Sequence, residues 1–73
     1  MKQLRKLIYS AVEIGRANGY TIIVTEKPGF IGVRVVSSSG RSDYEYDFFA
    51  DSDSSVQRET LKDLINWINV IEA

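Results

Sequence analysis

The sequence predicts an α+β fold: a two-layer α-β-β-β-α arrangement in which a three-stranded antiparallel meander carries two helices on one face. Three observations lead there. Apolar residues recur at helical spacing near both ends of the 73-residue chain, whereas in the middle they recur at every second position. The gaps between the central segments are short and contain glycine, which suits hairpins and is too short for the crossover that parallel strands need. Each element has one apolar side, and packing both helices on the same side of the sheet buries all of them at once.

Leu4, Leu7, Ile8, Ala11 and Gly15 fall at i, i+3, i+4, i+7 and i+11, the stripe of an amphipathic helix over residues 2–18. Tyr9 and Val12 fall away from the centre of that stripe. Asn18-Gly19 supplies the left-handed stop that helices favour at their C-terminal end. The β-branched run 20–26 reads as a first strand, closed by Lys27-Pro28-Gly29, and 30–36 as a second, ended by Ser37-Ser38-Ser39-Gly40. The third, 42–49, alternates Tyr44, Tyr46 and Phe48 on one face with Asp43, Glu45 and Asp47 on the other. After a polar stretch over 50–55, Ser54 stands three residues before Gln57, the spacing of a capping box. Leu61, Leu64, Ile65, Ile68 and Ile71 then form a second helical stripe. The chain reads as a single domain over residues 1–73.

Composition narrows the function classes. With 44% hydrophobic and 26% charged residues the chain is of globular type. It has no cysteine and no histidine, which removes disulfides, thiolate nucleophiles, histidine bases and His- or Cys-ligated metals. There is no Gly-rich phosphate loop, and a chain this short has little material for a substrate cleft as well as a core. No catalytic residue, cofactor-binding residue or metal ligand is assigned, and the chain reads as a non-enzyme. No apolar run approaches the roughly 20 residues that span a bilayer, and the basic N-terminus lacks the apolar core of a leader. The expected setting is cytoplasmic, without a membrane.

Charge is distributed unevenly. The net value is −1, yet residues 41–54 hold five acids and one base, and residues 1–18 hold four bases and one acid. Asp43, Glu45 and Asp47 project from one face of the third strand at a repeat of about 6.8 Å, and Asp51 and Asp53 prolong the run. Charge on a half-buried sheet keeps one face wet and suppresses edge pairing. The same ladder could also dock on a basic protein groove in the manner of a nucleic-acid backbone, with Phe49 as apolar area beside it. Ile23 and Val36 share that face, and so does Arg34, which is placed to neutralise one carboxylate across the sheet.

Other constellations have simpler readings. Asp51-Ser52-Asp53-Ser54-Ser55 starts like a calcium loop, but Val56 stands where the loop glycine belongs and Lys62 where the bidentate glutamate belongs. Helix capping accounts for those residues better. Lys2, Arg5, Lys6 and Arg16 are few and lack interleaved aromatics, so direct nucleic-acid binding is not favoured. Val70 lies opposite the second helical stripe with Trp67 on its flank. That pair is either packed at the edge of the core or a patch for a homodimer.

The element order resembles that of double-stranded RNA-binding domains over about the whole chain. That family has a lysine-rich cluster at the start of its last helix, where this sequence has Ser54-Ser55-Val56-Gln57-Arg58-Glu59-Thr60, so phosphate binding is not carried over. The chain also resembles, in architecture, small phage-encoded inhibitors of the anti-CRISPR type, which block an RNA-guided nuclease with an acidic surface. The matching features are the first helix with its basic end, the three strands, and Asp43, Glu45, Asp47, Asp51 and Asp53. The resemblance implies a nucleic-acid mimic acting on a host protein with a basic surface. The alternatives left open are a nucleic-acid-binding module working through the first helix and a homo-oligomeric assembly protein working through Trp67 and Val70.

Overall fold

A computed structural model describes residues 2–41 and 43–69. Helix α1 (Lys2–Ala17) leads into strands β1 (Thr21–Lys27), β2 (Phe30–Val36) and β3 (Asp43–Phe49), and helix α2 (Ser54–Ile68) follows. The strands form one antiparallel sheet in the order β1-β2-β3, as expected of a meander. Both helices supply the core from the same side, against Ile22, Ile31, Val33, Val35 and Phe48, which share one strand parity. The opposite face of the sheet is covered by nothing among the described residues. No helix among them is long and apolar enough to cross a membrane.

The turns follow from their residues. Gly19 has φ +96°, Tyr20 N–H bonds back to Gly15 O at 3.0 Å and Gly19 N–H to Arg16 O at 3.2 Å. This nested pair is the Schellman ending that Asn18-Gly19 announces. In the first hairpin Lys27 pairs with Phe30 across Pro28-Gly29. Proline fixes the first turn φ near −65° and Gly29 supplies φ +74° at the second, the type II combination.

The buried face of α1 differs from the expected stripe. Val12, expected away from the centre, is fully buried, whereas Leu7 is 54% exposed. A row of residues along the helix engages β1. Arg5 Nε donates to Glu26 Oε1 at 2.7 Å, Tyr9 Oη donates to Glu26 Oε2 at 2.8 Å, and Arg16 Nη2 donates to Ile22 O at 2.8 Å. Val12 lies in the same row and completes the buried face with Ile8, Ala11 and Gly15, which leaves Leu7 outside it. Gly15 sits where α1, β1 and α2 converge. A Cβ there would lie 2.5 Å from Ile22 Cδ1 and 2.9 Å from Ile68 Cγ2, a clash that only glycine avoids.

In α2, Leu61, Leu64 and Ile68 are buried as expected, Ile65 is 38% exposed, and Ile71 lies outside the described residues. The capping box does not form. Asp53 is the N-cap, without a side-chain cap bond, and Ser54 is already helical. The Gln57 amide instead donates to Phe49 O at 2.7 Å, tying the helix start to the end of β3. At the other end, α2 has no basic residue in its last turn. Asn18 Nδ2 donates to Ile68 O at 2.7 Å and Tyr20 Oη to Trp67 O at 3.1 Å, satisfying carbonyls that a helix end leaves open.

Candidate binding face of the sheet

Strand alternation sends one set of side chains into the core and the other onto the open face. The register places Thr21, Val36 and Asp43 in one open-face row, then Ile23, Arg34 and Glu45, then Thr25, Gly32 and Asp47, and finally Lys27, Phe30 and Phe49. Asp43, Glu45, Asp47 and Phe49 therefore do share a face, together with Ile23, Val36 and Arg34. That much of the ladder was readable from parity alone.

Arg34 neutralises one acid, but not the one directly opposite. It reaches diagonally past Glu45 to grip both carboxylate oxygens of Asp43, with Nε at 3.0 Å from Oδ1 and Nη2 at 2.5 Å from Oδ2. This bidentate geometry is the strong form of an arginine–carboxylate pair. The hydrogen bonds from Arg34 hold the Asp43 carboxyl below its ordinary pKa, and Asp43 in turn raises that of Arg34. Both side chains are about half exposed, so water screens the pair and its value lies in position more than in stability. Glu45 and Asp47 make no hydrogen bond or ion pair among the described residues, and they remain as adjacent exposed anions at the edge of the sheet.

Beside them lies an apolar patch. The rings of Phe30 and Phe49 meet at 5.1 Å between centroids with a 45° tilt. Phe30 lies over Gly32, where an added Cβ would stand 3.0 Å from the ring. The glycine thus leaves room for an aromatic lid on the open face. Phe49 is 46% exposed and Ile23 51%. A shallow groove runs between β1 and β3 from Ile23 and Phe30 past Gly32 to Arg34 and Glu45.

The remaining candidates fall elsewhere. Asp51 and Asp53 are exposed in the turn leading to α2. Among the described residues no group of three or more acidic side chains converges to hold a metal ion. Trp67 is half-buried, and its ring lies 4.2 Å from that of Tyr44, which is itself exposed. Val70 lies outside the described residues. Of the basic residues in α1, Arg5 and Arg16 are engaged with β1, while Lys2 and Lys6 flank a depression shared with Arg5 and Tyr9. Sequence reasoning missed the roles of Tyr9, Asn18, Tyr20 and Gln57, because each makes its bond to a residue that only the fold brings near.

Comparison with models of protein families, with characterised proteins and with solved structures finds no match to this chain.

Proposed function

We propose that this chain is a non-enzymatic binding protein that uses the β3 side of its open sheet face to occupy a basic surface on another protein. The observation that carries the reading is the pairing of two exposed carboxylates outside any ion pair, Glu45 and Asp47, with the Phe30–Phe49 patch on a face that nothing covers among the described residues. Charges at such a face steer encounter and select the partner, while an aromatic patch supplies apolar area to bury. Asp43 contributes through its pair with Arg34, and Asp51 and Asp53 extend the negative field past the strand. A basic groove that ordinarily holds phosphates is a natural target, and blocking it would make the chain an inhibitor by nucleic-acid mimicry. A phage-encoded protein acting in the host cytoplasm is the setting that fits this role.

The test is capture from a bacterial lysate with the tagged chain beside its Glu45→Lys/Asp47→Lys variant, with protein and nucleic acid analysed separately. A basic protein retained by the native chain and lost from the variant is the expected result. Equal retention by both chains overturns the role of the ladder. Nucleic acid retained equally by both, and released when Lys2 and Lys6 are neutralised, would assign the activity to α1 instead.

A further inference from the structure

The sheet has two edges, and on each of them a side chain takes up one outward backbone carbonyl. In β1 the carbonyl of Ile22 points out of the sheet and is occupied by Arg16. In β3, Ala50 N–H turns inward to Gly29 O at 2.9 Å, while Phe49 O turns outward to Gln57. Those two bonds fix the phase of the strand: even positions face β2, and odd positions face away. The backbone N–H and C=O groups of Asp43, Glu45 and Asp47 therefore point out of the sheet. Among the described residues none of the hydrogen bonds outside the ladder engages them.

The residues with outward backbone groups are the ones whose side chains form the acidic ladder. An edge of this kind offers a strand template, and its side chains decide what can use it. A second copy of β3 would set carboxylates against carboxylates, which disfavours self-pairing. A neutral strand would gain the ladder and leave the charges unused. A strand with cations at alternate positions would pair its backbone with residues 43–47 and place its side chains about 5 Å from the carboxylates. Next to Phe49 the same face asks for an apolar side chain.

We infer that β3 is a docking edge for an extended basic segment, which adds as a fourth, antiparallel strand with an apolar residue against Phe49 and lysine or arginine against Asp47 and Glu45. The inference rests on the basic-partner reading above and specifies how such a partner is held. The Arg34–Asp43 pair marks the far end of the site, because there the chain supplies its own cation.

The experiment uses three synthetic peptides against the full chain. The first is Phe-Thr-Lys-Thr-Lys, extended by a solubilising tag. The second has the same composition with its lysines adjacent, and the third is the first peptide N-methylated at the residues whose N–H would face β3. Affinity is read by fluorescence anisotropy, and amide exchange is followed at Glu45 and Asp47. The first peptide should bind and slow exchange at both amides, with each of the other two weaker by about tenfold. Equal binding of all three peptides, without amide protection, overturns strand addition and leaves docking by charge alone. No binding by any peptide, with charge-reversible capture of a folded basic protein, also overturns it while the broader reading stands. Loss of the broader reading shows separately, as capture indifferent to Glu45→Lys/Asp47→Lys.

Discussion

The two faces of the sheet are built from the same strands and are governed by different forces. On the covered face Val33, Val35 and Phe48 are at most 1% exposed, and their contribution is area removed from water. On the open face their neighbours Arg34, Asp47 and Phe49 are exposed, and the best-defined contact there, Arg34 with Asp43, is screened by solvent. Alternation therefore separates the core from the proposed recognition surface within single strands: a change at Phe48 strikes the fold, whereas a change one residue earlier, at Asp47, strikes only the surface.

The most severe way to break that separation is Phe48→Ala. Removing a fully buried aromatic side chain from the centre of the core should cost about 3–5 kcal/mol, measured by urea denaturation, and in a chain this small that is a large part of the total. Gly15→Ala should come next, at about 1–3 kcal/mol, since the new methyl group meets Ile22 and Ile68 in a packed junction. Acid tests one ion pair on each face. Arg5 and Tyr9 hold the Glu26 carboxyl below its ordinary pKa, and Arg34 does the same for Asp43. Both carboxyls are more acidic folded than unfolded, so the stability they add is full above the unfolded value of about 4 and is lost as pH falls through the lower folded values. Glu26→Gln and Asp43→Asn should each flatten the acid limb of the stability–pH curve, and an unchanged limb would contradict the pairs. The smallest effect belongs to Glu45→Lys/Asp47→Lys, which should leave the unfolding free energy within about 0.5 kcal/mol of the native chain.

The sequence made some of this legible and hid the rest for physical reasons. Strand parity is local, so the grouping of Asp43, Glu45, Asp47 and Phe49 with Arg34 could be read directly, and the Asn18-Gly19 stop carries its own geometry. The orientation of α1 could not be read in the same way. A stripe drawn through Leu4, Leu7 and Ile8 misplaces the centre of the buried face, which runs through Ile8, Ala11, Val12 and Gly15, and the bonds of Arg5, Tyr9 and Arg16 to β1 exist only once the fold has brought β1 near. The Ser54–Gln57 spacing misled because the helix starts one residue earlier, with Asp53 as its N-cap, and the Gln57 side chain is drawn to Phe49 O, which comes within reach only once β3 has ended beside α2. Arg34 was placed on the right face, but its choice of the diagonal acid is a matter of side-chain reach that parity does not specify.

The bonds from Asn18 and Tyr20 to the end of α2 bear on the order of assembly. They join residues 50 and 47 apart in sequence, whereas the hairpins close between near neighbours. Contacts that close long loops carry the larger entropic cost, so docking of α2 belongs late in folding, after the meander has formed. Until then the strand that α2 packs against has an uncovered apolar face and a free edge, the condition in which chains stick to one another. Glu45 and Asp47 lie on that strand outside any ion pair among the described residues, and their charge works against edge pairing with the same strand of another copy. The row of acids that is proposed to select a partner for the native protein thereby also keeps immature copies apart.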